Sequence, residues 1–156
     1  MQIVRIGESF GRWDELLSLI LSSFAYMDDM IDPPSSAYRL TPVSLAQKAA
    51  EESAFVALDG GILVGCIFLK PEPDALYVGK LAVATAYQNK GIGRLLMHVA
   101  EEAAQALQRP VLRLETRIEL TGNHEAFARL GFRKTAERSH PGFTRTTFIE
   151  MRKDLA

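Results

Sequence analysis

The run from Leu76 to Ile118 constrains the fold more than any other part of this chain. Leu76 to Val83 reads as a strand. Ile92, Leu95, Leu96, Val99, Ala103 and Leu107 then recur at helical spacing until Pro110 stops them, and Val111 to Ile118 reads as a second strand. Strand, helix and strand in succession return through a right-handed crossover, which leaves the two strands parallel. The segments before this unit are built differently. Ala54 to Leu58 and Ile62 to Lys70 flank Asp59-Gly60-Gly61, whose glycines supply the positive φ angles of a tight hairpin, and Pro71 to Asp74 turns the chain into Leu76. The sheet is therefore expected to be mixed, an antiparallel meander joined to one parallel pair.

Ile3 to Ile6 adds a first strand, and Trp13, Leu16, Leu17, Ile20, Leu21 and Phe24 form the apolar face of a first helix. Thr41-Pro42 starts a second helix, Thr as N-cap and Pro at the first helical position, which runs to about Glu52. Between these helices, Tyr26 to Leu40 holds Asp28, Asp29, Asp32, Pro33, Pro34, Ser35 and Ser36, too many breakers to be helical throughout. A short helix over Asn123 to Leu130 and strands over Phe132 to Glu137 and Thr144 to Arg152 complete the chain. This order predicts one α/β domain over residues 1–156, on a mixed, mostly antiparallel twisted sheet. With 156 residues, 47% of them hydrophobic, the chain can bury a core without staples.

Charge and cysteine content exclude several classes. Lys plus Arg is 18 against 19 Asp plus Glu, so there is no basic field for a nucleic acid. Cys66 is the one cysteine, which rules out an intramolecular disulfide and suits a reducing compartment. The longest apolar stretch, Ile62 to Leu69, falls far short of the ~20 residues of a membrane span, and Met1 to Arg5 lacks the pattern of a signal peptide. Asp28, Asp29 and Asp32 lack the spacing and closing Glu of a calcium loop. The expectation is a cytoplasmic protein with no metal, membrane or nucleic-acid partner; a homodimer stays open.

The chemistry concentrates in Gln88-Asn89-Lys90-Gly91-Ile92-Gly93-Arg94, which follows the strand end Leu81-Ala82-Val83 and opens the helix. Glycines there let the free N–H groups of the first turn approach an anion, with Lys90 and Arg94 adding charge. A Walker loop would need Gly-Lys-Ser/Thr where Gly93-Arg94-Leu95 stands, and a Rossmann fingerprint a third Gly where Leu96 stands. Alone, Gly91 and Gly93 serve equally well as a tight strand-to-helix turn.

Together with the downstream Asn123 to Phe132, ending Leu130-Gly131-Phe132, this motif resembles the GNAT superfamily of acetyl-CoA-dependent N-acetyltransferases, and the element order matches over most of the chain. The resemblance implies a splayed parallel central pair of strands and helices on both faces. It implies acetyl-CoA as cosubstrate, with Leu81, Ala82 and Val83 bonding the pantetheine arm and Gln88, Asn89, Lys90, Gly91, Ile92, Gly93 and Arg94 holding the pyrophosphate. Asn123 matches the family's coenzyme-contacting asparagine, and Phe127 occupies a coenzyme-side position where many members carry a tyrosine that protonates the departing thiolate. Phe has no proton to give, so another donor, or water, must act. A local irregularity is expected at Gly79.

A protonated amine cannot attack a thioester, so a base is required. Alternation puts Arg113, Glu115, Arg117 and Glu119 on one face of their strand. Glu119 can accept the proton through water and Arg117 can hold a substrate carboxylate; the other reading of all four is an ion-paired solvated face. His140, in the turn Ser139-His140-Pro141-Gly142, titrates in the useful range, or is plain surface. Tyr26, with Asp32, Ser35 and Ser36, lies where the family places its acceptor wall, and Tyr26 also offers a hydroxyl for catalysis; the bland reading is a rigid loop. His124, beside Asn123, faces the coenzyme or the solvent, and solvent is the expectation; Cys66 is expected to be a core thiol. The resulting expectation is an acyltransferase moving acetyl to a primary amine. The alternative is an acyl-CoA-binding sensor or interaction module with weak or no catalysis.

Overall fold

The computed structural model describes residues 1–155. In chain order the elements are β1 (Gln2–Arg5), α1 (Trp13–Phe24), α2 (Pro42–Glu51), β2 (Ser53–Asp59), β3 (Ile62–Pro71), β4 (Leu76–Val83), α3 (Ile92–Ala106), β5 (Val111–Arg117), α4 (Thr121–Arg129), β6 (Arg133–Arg138) and β7 (Phe148–Asp154). The strands form one sheet in the order β1-β2-β3-β4-β5-β7-β6, with β4 and β5 parallel and every other pair antiparallel. No helix among the described residues is long and apolar enough to cross a membrane.

Helices cover both faces, so the central strands are apolar in both directions. On one face Leu16 and Ile20 of α1 and Leu45 of α2 pack with Val56, Cys66 and Phe68. On the other, Leu96, Met97, Ala100 and Ala104 of α3 pack with Val64, Ile67, Leu69, Leu76 and Leu112. This is why Val64 to Leu69 is buried without a break where a half-exposed strand would alternate. The start of α2 is locally encoded. The Thr41 hydroxyl accepts the Ser44 N–H at 3.1 Å and the Ser44 hydroxyl accepts the Thr41 N–H at 2.9 Å, a reciprocal cap beside Pro42.

Two details differ from the sequence pattern. The buried stripe of α3 is centred on Ile92, Leu96, Ala100 and Ala104, leaving Leu95 and Leu107 exposed. Two alanines bring the helix close to the sheet along a narrow contact, and the flanking leucines fall outside it. The last strand begins at Phe148, because Ser139 to Thr147 forms a long hairpin turn instead of continuing the ladder.

The decisive irregularity is in β4. Phe68 faces Gly79 and Cys66 faces Ala82, so β4 uses one residue more than β3 over this stretch. The extra residue makes a bulge, and it lies at Lys80 (φ +48°), one position past the expected Gly79. The Cys66 thiol donates to the Lys80 carbonyl at 3.2 Å, satisfying an acceptor that the bulge turns out of register. On its other edge β4 pairs with β5 only at Leu76–Leu112 and Tyr77–Arg113, after which the strands part.

Candidate active site

Where β4 and β5 separate, a cavity of about 970 Å³ opens. Tyr77 to Leu81 and Leu114 to Arg117 form its floor. One wall is Pro33 to Ser36 with Tyr38 and Arg39; the other is Asn123 and Phe127 of α4 with Ser139 to Pro141.

The glycine-rich loop lies at the same end of β4. A short 3₁₀ turn, Thr85–Tyr87, carries the chain away, and the Gln88 side-chain amide donates back to the Val83 carbonyl at 3.2 Å. Asn89 (φ +63°) and Gly91 (φ +85°) take left-handed conformations, and Gly91 caps α3 with no side-chain hydrogen bond to the helix start. The amides of Ile92, Gly93 and Arg94 therefore have no side-chain cap, and a Cβ at Gly93 would meet nothing within 4 Å. Arg94 is exposed, and the Lys90 ammonium lies 5.4 Å from the Tyr87 ring centre. Beyond Tyr77 the edge of β4 that carries Leu81, Ala82 and Val83 toward the gap has no partner strand.

The face of β5 divides. Arg113 is enclosed by carboxylates: two contacts of 2.8 Å to Glu72, one of 2.9 Å to Glu115 and one of 3.3 Å to Glu150. Arg113 and Glu115 thus form the ion-paired face. Arg117 has left that network. Its guanidinium reaches into the cavity wall and donates to the Pro33 and Pro34 carbonyls at 2.6 and 3.0 Å.

His140 lines the cavity. Its Nδ1 lies 2.5 Å from the hydroxyl of fully buried Thr147, which also accepts the His140 N–H at 2.8 Å, and its ring meets Phe148 edge-on. Burial, and secondarily Arg117, hold the imidazole pKa below its ordinary 6.5, so the neutral form prevails at pH 7.

Glu119, Tyr26 and Asp32 do not line the cavity; they stand beside it. One Glu119 carboxylate oxygen accepts the Asp32 N–H at 3.3 Å and lies 3.8 Å from Arg145, while the other is buried without a partner. Arg145 also binds the Asp32 carbonyl at 2.9 Å and carboxylate at 3.3 Å, pinning three distant segments together. Tyr26 is exposed, and its hydroxyl donates to the Asn123 side chain at 3.4 Å. Ser35 caps the 3₁₀ turn Ser36–Arg39 by accepting the Ala37 N–H, and Ser36 accepts from Lys80 at 3.4 Å. Phe127 packs edge-on against Phe132 at 5.9 Å and offers the cavity an apolar ring.

Arg39 and Lys80 of the cavity lining, Thr147 behind His140 and His124 behind Arg117 all escape sequence reasoning. Lys80 is partly buried in the cavity floor, placed there by a bulge that a lysine does not announce. His124, expected to face solvent, instead donates from Nε2 to the Arg117 carbonyl at 2.8 Å and fixes the entry to α4. Cys66 is fully buried and its thiol pKa is pushed up to about 12 by burial, which leaves it no nucleophilic role.

A mixed sheet parted at its parallel pair, with an uncapped helix start at the open end, has clear relatives. The family model described as the acetyltransferase (GNAT) family matches residues 13–132. That span takes in α1 to α4, and the chain belongs to the GNAT acetyltransferases, a class of acyltransferases. Among solved structures, the PaiA N-acetyltransferase of Thermoplasma acidophilum, in complex with coenzyme A, is 17% identical with a TM-score of 0.79 over 99% of both chains. A GNAT acetyltransferase of Staphylococcus aureus Mu50 is 18% identical, TM-score 0.77, over 99% of this chain and 100% of its own. A GNAT acetyltransferase of Elizabethkingia anophelis with acetyl-CoA bound is 21% identical, TM-score 0.70, over 99% and 97%. These likenesses bear on the fold. A search of curated proteins gives no sequence match.

Proposed function

We propose that this chain is an N-acetyltransferase that moves acetyl from acetyl-CoA to a primary amine by direct attack, with no covalent enzyme intermediate. The observation that carries this reading is the parting of β4 and β5, with an open helix start on one side and, on the other, a cavity whose largely apolar lining carries Lys80, Arg117 and His140. The residues present fit the coenzyme. The uncapped amides of α3, the open space at Gly93, and Lys90 and Arg94 suit a pyrophosphate, and the unpartnered edge at Leu81, Ala82 and Val83 suits an amide-bearing arm. Two structural neighbours hold coenzyme A or acetyl-CoA. When bound, acetyl-CoA supplies the activated acetyl group as its thioester.

An amine of lysine-like pKa ~10.4 is neutral in only about one molecule in 2,500 at pH 7, a deficit of roughly 4.6 kcal/mol. His140 is the base in this reading: it lines the cavity, it is neutral at that pH, and Thr147 orients it. Glu119 is less suited, because Asp32 and Arg145 engage its carboxylate away from the cavity; its part is to brace, through Asp32, the acceptor wall that carries Ser35 and Ser36. Tyr26, held beside the cavity by its hydrogen bond to Asn123, is the hydroxyl this reading assigns to replace the donor that Phe127 cannot be. A thiol of pKa ~8.5 leaves readily enough to make a strong acid unnecessary. The cytoplasmic setting belongs to the proposal and rests on the lone free thiol.

Phe127 favours one other reading, a coenzyme-binding module without efficient turnover. Both are tested together by thermal shift with acetyl-CoA and by release of free thiol over a panel of amines. Shift with release supports the enzyme, shift without release the module, and neither overturns both.

A further inference from the structure

The charges around the cavity do not balance. Its lining carries three permanent or near-permanent cations, Arg39, Lys80 and Arg117, and one carboxylate, Glu115, which Arg113 already holds at 2.9 Å. None of the three cations has a carboxylate partner among the described residues. Arg117 donates to two carbonyls, and Lys80 has only the Ser36 hydroxyl at 3.4 Å. Glu119 and Asp32 attract Arg117 at longer range, but both are occupied by Arg145. Near Lys80, Glu52 is taken by Lys48 at 2.8 Å. Burial, and then the Lys48 ammonium, hold the Lys80 pKa below its usual 10.5. A partly buried ammonium and guanidinium without counter-charge are costly unless something anionic joins them.

Resting on the N-acetyltransferase reading, we infer that the acceptor is an amine that also carries an anionic oxygen group, a carboxylate or a phosphate ester, received by Lys80 and Arg117 with Arg39 at the mouth. The geometry of the wall agrees. Lys80 rises from the β4 bulge and Arg117 from the end of β5, on the two strands whose separation makes the cavity, so an anion bridging them holds the rest of the acceptor in the gap. A polyamine, by contrast, would meet three like charges with no free carboxylate to offset them.

The test uses the intact protein at saturating acetyl-CoA and paired amines: free amino acids against their amides, phosphoethanolamine against ethanolamine, and spermidine as the cationic control. The expected result is a kcat/KM at least tenfold higher for the acidic member of a pair, the responding pair telling carboxylate from phosphate. Lys80→Gln should erode that ratio about tenfold and Arg39→Gln, at an exposed site, a few-fold, with the KM for acetyl-CoA unchanged. Preference for neutral amines or spermidine overturns the inference, as does a ratio untouched by both substitutions or a loss confined to acetyl-CoA affinity. If no pair turns over, calorimetry of N-acetylglycine and inorganic phosphate into the protein–coenzyme A complex decides: binding weakened tenfold by Lys80→Gln supports it, and no binding overturns it. Failure of the underlying reading has a different signature, the absence of any thermal shift with acetyl-CoA.

Discussion

At the closed end of the β4–β5 pair, Arg113 sits among Glu72, Glu115 and Glu150; at the open end, Arg117, on the same face of the same strand, touches only carbonyl oxygens. The two residues are chemically identical and their strand treats them alike. What separates them is whether the neighbouring strand is still there. Where β4 stays paired, the turn before it delivers Glu72 to Arg113 and the charges neutralise one another. Where β4 has parted, no carboxylate arrives, and the cation, held only by the Pro33 and Pro34 carbonyls, faces the cavity. The first arrangement stabilises the fold, and the second leaves interaction energy for a ligand.

The strongest way to break this contrast is Arg113→Ala. It would take the shared cation from Glu72 and Glu115 and leave Glu150, which is 6% exposed, to Arg152 and Thr135, and should cost about 2–3 kcal/mol, a fall in Tm of roughly 5–10 °C. Arg113 first, and Lys70 and Arg152 further off, hold the Glu72 carboxyl below its usual range; for Glu150, the Thr135 hydroxyl and Arg152 outweigh burial to the same end. With folded-state pKa values depressed, the stability these groups give is complete above about pH 4.5 and is lost as pH falls through the folded values. Melts of the parent at stepped pH should show that loss, and Arg113→Ala should flatten it.

At the open end the largest effect belongs to His140. Its replacement by Ala should lower kcat about a hundredfold or more, against a few-fold for Phe127→Leu at saturating coenzyme. Because the neutral imidazole is the working form and its pKa is lowered, the acid limb of the parent's kcat/KM profile should have its midpoint below 6.5 and should vanish in the variant. Were Phe127→Leu the more damaging change, His140 would not be the base.

Next is Gly93→Glu. Acetyl-CoA at about 100 times its Kd should stabilise the parent by roughly 2.7 kcal/mol. The substitution has room within the fold, so an unchanged apo melt with a lost ligand shift is the expected outcome, and an undiminished shift would move the pyrophosphate elsewhere. The smallest effect sharpens the comparison most. Arg117→Ala should raise the acceptor KM tenfold to a hundredfold while Tm moves only a few degrees and coenzyme affinity stays put. A Tm loss matching that of Arg113→Ala would mean that the two ends are not different in kind.

The sequence makes some of this arrangement legible. The Gly60-Gly61 hairpin, the Thr41-Pro42 start and the crossover through α3 are encoded by residues adjacent in the chain, and they determine the strand order around the gap. Hydropathy points to the wrong edge of the α3 stripe, because Leu95 and Leu107 look like core while Ile92 and Leu96 are continued by Ala100 and Ala104, whose small size carries no hydropathy signal. Lys80 is hidden for a related reason. A left-handed lysine is specified by the mismatch between two strands, and the nearby Gly79 draws attention to the wrong position. The links Arg145–Asp32, Asp32–Glu119 and His124–Arg117 join residues from separate elements, and only the folded chain reveals which charged groups are already taken.

The hydrogen bond from Cys66 to the bulge has a practical consequence. Burial pushes the thiol pKa up to about 12, and no reagent can reach it while α1 and α2 cover this face of the sheet. A thiol-reactive dye would therefore label the folded protein only during excursions in which those helices lift from the sheet or the sheet itself opens. Cys66 is thus a built-in clock for local opening over the bulge. Its labelling rate, with and without a coenzyme analogue that bears no free thiol, would measure how far occupancy of the gap slows that opening.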